Sequence, residues 1–448
     1  PSRTTYSKPS VYLARTAETR RRSVWARVAG AYRNPKNPIT TKSHHKMGMR
    51  STWCGTRQAR SPWPGTRQSM LGFVGFVFLL TFVTVSSSQS ISCGHDHTCM
   101  ILVDSSVKCW GSSGRGQLGL GNVASTNIPL SVNLGSGLTA KIVFLGGSFH
   151  SCVILSNDSV KCWGLSDSGQ LGLGDNSNRN SPSGPLDLGT GRSAKKISVG
   201  TFHTCAVLDN DSVKCQGYNY NGQIGDGTNT ARNTPTSVDL GTGRTAKMVA
   251  CGGYFTCAIL DDNSVKCWGW NNAGQLGDGT STSRSVPTVV PSLDAKSISL
   301  GGFHACATLQ DDSIKCWGQN VHGQLGLGDT TQSNSPKAVD LGTGRVAKVV
   351  ALGAYHSCAI LDDDSLKCWG QNSEGQLGLG DNTQRSSPVL VDIGSGRTPK
   401  SIDLGDKHTC AVLDDDSVKC WGVNAEGQLG DGTTTSRTSP TSIMCGTN

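Results

Sequence analysis

Seven pairs of cysteines carry the clearest chemical signal in the chain. The members stand ten positions apart in every pair: Cys99/Cys109, Cys152/Cys162, Cys205/Cys215, Cys257/Cys267, Cys306/Cys316, Cys358/Cys368 and Cys410/Cys420. Each pair brackets a turn-forming run such as Asp414-Asp415-Asp416, flanked by short β-prone stretches. That pattern predicts a hairpin. In a hairpin with a three- or five-residue loop the two cysteines lie opposite each other on one face, at a separation a disulfide bridges. Closing so short a loop contributes about 2–4 kcal/mol per bridge in chain-entropy terms. Two other chemistries compete with this reading. Reduced cysteine packs as a small hydrophobe, and a structural zinc wants four ligands where each hairpin offers two. Disulfides are preferred, and they place the chain in an oxidising compartment. Cys93, Cys251 and Cys445 form an odd remainder beside the pairs, and Cys54 stands far upstream of them.

Histidine recurs two positions before the first cysteine: His97, His150, His203, His304, His356 and His408, with Phe255 in the fourth copy. Strand alternation puts each on the same face as its cysteine. A ring of imidazoles has the chemistry to hold a metal or to switch a partner with pH. Phe255 breaks such a ring, so the preferred role is structural, each imidazole hydrogen-bonding a neighbouring repeat. The acidic tips lack the spaced oxygen ligands of a calcium loop and read as turns. Asn157-Asp158-Ser159 and Asn210-Asp211-Ser212 match the glycosylation pattern, which makes Asn157 and Asn210 candidate acceptors. The Gly-Gln-Leu-Gly elements lack the Lys-Ser/Thr of a phosphate loop and read as tight turns. Trp110, Trp163, Trp268, Trp317, Trp369 and Trp421 recur with the same period and are core candidates. Gln216 replaces the tryptophan in the third copy, which predicts looser packing there. Every notable residue repeats, whereas a catalytic site needs a nucleophile–base pair that occurs once. No catalytic residue, metal or cofactor is expected.

These residues need elements to position them, and the spacing supplies the elements. The first cysteines are separated by 53, 53, 52, 49, 52 and 52 residues. The short interval lacks the Leu-Gly-Thr-Gly-Arg turn seen at Leu240 to Arg244. A second hairpin is predicted around that turn, joining Ser237-Val238-Asp239-Leu240 to Ala246-Lys247-Met248-Val249. Four short strands per unit, with no helical period, predict an all-β seven-bladed propeller of four-stranded blades over residues 91–448. The start of the array, Ile91-Ser92-Cys93-Gly94, matches the middle of a unit, and its end, from Ser439 to Ile443, matches the opening of one. Strands from both ends of the repeat region are therefore expected to close the ring by completing one blade together.

Upstream of the array the composition changes. The whole chain of 448 residues carries a net charge of +9. Residues 1–70 hold 15 basic residues against the single acid Glu18, while the remainder is mildly acidic at −5. The charge argument for nucleic acid thus does not apply to what folds. The basic leader has no periodic apolar pattern and reads as disordered, or as mispredicted coding sequence. Residues 71–88 follow, with LGFVGFVFLLTFVTV at 71–85 free of charge. A cleaved signal peptide is the first reading, a short signal anchor the second, and a buried core segment the third. In either membrane reading the array is lumenal, secreted or extracellular, and membrane contact is confined to residues 71–85.

Seven copies of His-Thr-x-Ala, Trp-Gly and Gly-Gln-Leu-Gly resemble the regulator of chromosome condensation repeat family. The resemblance implies a seven-bladed propeller and leaves function open. It extends to the exchange factor for the small GTPase Ran, to ubiquitin-ligase propellers and to a plant ultraviolet-B receptor. The reading adopted is a monomeric, non-enzymatic module that binds a protein partner and no nucleic acid, through loops such as 271–284 and 319–332. The alternative is a nucleotide-exchange regulator of a small GTPase. The exchange factor resembled carries a wedge inserted in one blade, and no interval here exceeds 53 residues.

Overall fold

The computed structural model describes residues 89–147 and 149–444. The basic segment 1–70, the hydrophobic segment 71–88, Cys54 and Cys445 lie outside the described residues.

In the first repeat Ser90–Cys93, His97–Ile101, Val107–Gly111 and Thr126–Ser131 form one antiparallel sheet, in that order. All five residues of His97–Ile101 are buried, because a neighbouring sheet covers each face. The hairpin that follows pairs Ile101 with Val107 and sets Cys99 opposite Cys109. Its loop includes Ser105 with φ of 63°, and the other six hairpins repeat the feature at Asp158, Asp211, Asn263, Asp312, Asp364 and Asp416. Asp and Asn tolerate this left-handed conformation better than most residues, which explains the tip composition. The outermost strand of every blade carries a proline: Pro129, Pro182, Pro235, Pro287, Pro336, Pro388 and Pro440. A residue without an N–H is tolerated at an edge, and it blunts that edge against pairing with another chain.

Seven such blades follow one another, and every element of the described residues is a β-strand. Five sheets have four strands and one has seven. The seven-stranded sheet is two blades sharing Arg284–Leu300, a 17-residue strand. Its first half pairs with Ser264–Gly269 and its second half with His304–Leu309. The missing glycine turn in the 49-residue interval is the cause, since the shorter link stays in strand and crosses between blades with one local kink at Ser292, whose φ is 54°.

Elsewhere that glycine turn is a crossover and not the predicted second hairpin. Arg232–Val238 pairs with Val213–Gly217, whereas Ala246–Cys251 pairs with Phe255–Leu260 in the next blade. Gly241 and Gly243, at φ of 101° and 71°, swing the chain from one sheet to its neighbour. Only glycine reaches such angles without strain.

The blade completed from both termini does not form either. Ser90–Cys93 pairs with His97–Ile101 of its own repeat, and Arg437–Ser442 pairs with Val418–Gly422 of its own. Each terminal strand finds its ladder locally, so the ends meet through side chains and loops. Asp403 accepts the Cys93 N–H at 2.8 Å, the Trp110 indole donates to the Gln428 carbonyl at 2.9 Å, and Asn127 donates to the Gly432 carbonyl at 2.9 Å. The apolar core is correspondingly divided into seven clusters, each fed by adjacent blades. One of them combines Ile91, Met100 and Trp110 with Val412, Val418 and Leu429.

Candidate functional site

The repeated polar residues are buried and consumed in a relay between blades. Each histidine Nε2 lies 2.8–3.0 Å from a hydroxyl of the next blade: His97 to Ser151, His150 to Thr204, His203 to Thr256, His304 to Ser357, His356 to Thr409 and His408 to Thr98. These hydroxyls donate their single hydrogen to the carbonyl of a Gly-Gln-Leu-Gly glutamine, as Ser151 does to Gln117 at 2.9 Å. The hydroxyl must therefore accept from the imidazole, which fixes the neutral Nε2–H tautomer. Burial pushes these imidazoles down to about 3, and His408 to about 4, in keeping with that tautomer. Five tryptophan indoles donate to the same glutamine carbonyls, for example Trp163 to Gln117 at 2.8 Å, and Trp317 donates to the Gln275 carbonyl, which receives no hydroxyl.

Two copies depart from the relay. Phe255 takes the histidine position, and the residue it would address in the next blade is Ala305 instead of Ser or Thr, both in one apolar cluster. The pair is exchanged together, so no hydroxyl is left without its donor. In the third repeat Gln216 is buried in the tryptophan position, and its Nε2 has no hydrogen-bond partner.

All seven predicted cysteine pairs are joined as disulfides: Cys99–Cys109, Cys152–Cys162, Cys205–Cys215, Cys257–Cys267, Cys306–Cys316, Cys358–Cys368 and Cys410–Cys420. Their Cα–Cα separation is 4.1 Å throughout. The strand register is the reason, since it sets Cys162 directly opposite Cys152, Cys267 opposite Cys257, Cys316 opposite Cys306 and Cys368 opposite Cys358. Cys93 and Cys251 are free and buried. Each forms a tight group with a histidine and one disulfide sulfur, Cys93/His408/Cys410 and Cys251/His203/Cys205. One sulfur of each group is already committed to a disulfide, which leaves a metal two ligands at most.

The two ends of the strands differ in character. At the hairpin end, bases from the glycine turns and from the strands that follow them meet the acidic tips: Arg345 with Asp362 at 3.0 Å, Lys348 with Asp364 at 2.7 Å, and the Arg397 and Lys400 pairs likewise. Six of the seven tips are thus occupied by cations of the chain itself. Asn157 and Asn210 stand exposed at the same end, each accepting from the serine two residues on.

At the other end, partly exposed rings form an arc across consecutive blades. Phe202 lies 5.8 Å from Tyr254, Tyr254 6.4 Å from Phe303, and Phe303 5.5 Å from Tyr355, measured between ring centroids. Tyr218 and Trp270 extend the arc outwards, with Tyr218 6.0 Å and Trp270 5.9 Å from Tyr254. Residues 271–284 and 319–332 spring from this end, since the Trp270 and Gln319 amides bond the Tyr254 and Phe303 carbonyls. At the junction of the first and last blades the rings give way to charge. His95 Nδ1 sits 2.5 Å from Asp96 and its Nε2 3.3 Å from Asp406. Burial alone would lower His95, but the Asp96 hydrogen bond and the two carboxylate fields outweigh it and raise it to about 9. Burial raises Asp406 to about 6. The innermost strands of the seven blades line a central channel of about 260 Å³, with Asp406 among its lining residues.

The arc was not singled out from sequence. The column before the repeated histidine position reads Phe149, Phe202, Tyr254, Phe303 and Tyr355, then Asp96 and Lys407 in the terminal copies. Comparing that column across copies would have disclosed it.

A ring of disulfide-stitched blades with one aromatic face and one ion-paired face defines a propeller built for contact. The model of the regulator of chromosome condensation (RCC1) repeat matches seven times, at residues 89–117, 141–170, 194–223, 247–275, 295–324, 346–376 and 400–428. A second model of the repeat matches five times between residues 157 and 412. The chain belongs to this family. It is 31% identical over 353 residues to the ultraviolet-B receptor UVR8 of Arabidopsis thaliana, covering 78% of this chain and 80% of that one. It is 28% identical to the E3 ubiquitin-protein ligase HERC2 of Homo sapiens, with 77% of this chain aligned to 6% of that protein. Among solved structures, Prp20p of Saccharomyces cerevisiae has a TM-score of 0.67 at 21% identity, over 78% of this chain and 86% of its own. Human WBSCR16 has a TM-score of 0.66 at 21% identity, over 75% and 94%.

Proposed function

We propose that this chain is a non-enzymatic protein-interaction module of the secretory route, secreted or held at the cell surface, whose partner docks on the aromatic face. The aromatic arc is the observation that carries the reading. Partly exposed Tyr, Trp and Phe supply the anchoring contacts of protein interfaces, and at the opposite face six of the seven hairpin tips are ion-paired within the chain. Seven disulfides favour an oxidising compartment, and Asn157 and Asn210 are open to glycosylation.

A second reading, a regulator of a small GTPase, is favoured by the likeness to Prp20p, whose structure is described with its binding to Gsp1p and histones. The even repeat spacing leaves no room for an inserted wedge.

The full chain expressed in eukaryotic cells is expected in the medium or on the surface, with glycosidase-sensitive mass that N157Q and N210Q remove. A photo-crosslinking residue at Tyr254 is expected to capture a partner that the same residue at Asp312 does not. Alanine at Tyr254 or Phe303 then weakens that complex by about 30-fold, or about 2 kcal/mol. Cytosolic protein with reduced cysteines that accelerates nucleotide release from Ran would overturn the reading.

A further inference from the structure

In five blades the innermost strand runs into its repeated glycine through Leu or Val: Leu145, Val199, Leu300, Leu352 and Leu404. The remaining two place Cys93 and Cys251 there, both buried free thiols. Each thiol packs against the disulfide of the preceding blade, Cys93 on Cys410–Cys420 and Cys251 on Cys205–Cys215. The thiol sulfur, the nearer disulfide sulfur and one ring nitrogen of His408 or His203 lie within 4.8 Å of one another. In both histidines Nε2–H is spent on a hydroxyl, and the fully buried Nδ1 has no partner. A nucleophile and an electrophilic sulfur therefore meet at two of the seven blade junctions.

We propose that these are thiol–disulfide exchange centres that move a bond from within a blade to between blades. Cys93 Sγ attacks Cys410 Sγ; the Cys93–Cys410 bond forms as the Cys410–Cys420 bond breaks. The proton that leaves Cys93 ends on the Cys420 thiolate. One thiol and one disulfide stand on each side, so no oxidant or reductant is needed. At the second centre Cys251 attacks Cys205 and Cys215 becomes the thiol. The first exchange joins the first and last blades covalently, at the junction otherwise held only by side chains and loops. The second joins the third and fourth. Burial raises both thiols, Cys251 to about 12, so each rests protonated and the exchange quickens as pH rises.

The test uses the oxidised full chain, held at mildly alkaline pH without added thiol. Free thiols are alkylated, the chain is digested with pepsin in acid, and the linked peptides are mapped without reduction by mass spectrometry. Cys93–Cys410 and Cys205–Cys251 peptides are expected, with Cys420 and Cys215 alkylated, at least about tenfold above any rearranged pair from the other five blades. The Cys251→Val variant carries the side chain that Val199 places in the equivalent position; it is expected to abolish the Cys205–Cys251 link and leave the Cys93–Cys410 link unchanged. Recovery of Cys93 and Cys251 only as free thiols, or rearrangement spread equally over all blades, would overturn the proposal. If Cys251→Val does not fold, the unmodified chain still decides it, with its five thiol-free junctions as internal controls.

Discussion

At the scale of single residues, the chain spends its polar side chains on joining blades. The histidine, the hydroxyl and the glutamine carbonyl satisfy one another across six of the seven junctions, and a buried group outside that scheme is costly. Gln216 is such a group, with an orphaned Nε2 in a site that holds an indole in the other six blades. Gln216→Trp is expected to stabilise the protein by about 1–3 kcal/mol, since the new indole N–H reaches the Gln170 carbonyl that already accepts from Thr204. The urea midpoint measures it, and an unchanged or lowered midpoint counts against the relay. The histidines also set the acid limit of stability. Their folded values, about 3 to 4, lie below the ordinary 6.5. The unfolded chain therefore takes up their protons first, and stability falls as pH drops from about 6.5 towards 3. His95 works in the opposite sense: its value of about 9 contributes stability that is present below 6.5 and is lost as pH rises through 9. Urea midpoints across this pH range should show both losses, the acid one much the larger because six imidazoles share it.

At the scale of elements, the hairpin is the unit that repeats most faithfully, and its tip is set by backbone geometry. Asp364 has φ of 62° and pairs with exposed Lys348. Asp364→Gly and Asp364→Val both remove that ion pair, which at the surface is worth little. The valine must in addition hold a β-branched side chain in the left-handed region, costing about 1–3 kcal/mol. Thermal unfolding should place the valine variant clearly below the glycine one; equal transitions would show that the tip carries no conformational constraint. The hairpin, its facing cysteines and the strand content were legible in the sequence, because alternation and turn chemistry are local. The link around Gly241 and Gly243 was misread as a second hairpin for the same reason. Two strands joined by a short glycine turn look alike in sequence whether they pair with each other or with strands in two different sheets.

At the scale of the whole molecule, each blade is built from one continuous stretch and the ring closes between complete blades. Removing residues 399–444 deletes the last blade and leaves Thr98, Trp110 and Cys93 without Gln428, His408 and Asp403. Aggregated protein is expected, seen by size-exclusion chromatography and light scattering. A monodisperse six-bladed product with a cooperative transition would refute a ring whose junctions depend on every neighbour.

The sequence by itself determined the blade count, the four-strand content of each blade, the cysteine pairing and the mild acidity of the folded part. All follow from short-range patterns repeated seven times, and repetition averages out local ambiguity. Only the tertiary structure decided that Arg284–Leu300 serves two blades, that closure uses no shared blade, and that one end of the strands is aromatic while the other is ion-paired. These depend on which residues from different blades converge, about 50 positions apart along the chain or at its opposite ends. The same convergence brings Cys93 to Cys410 and Cys251 to Cys205, where spacing alone had left an odd remainder.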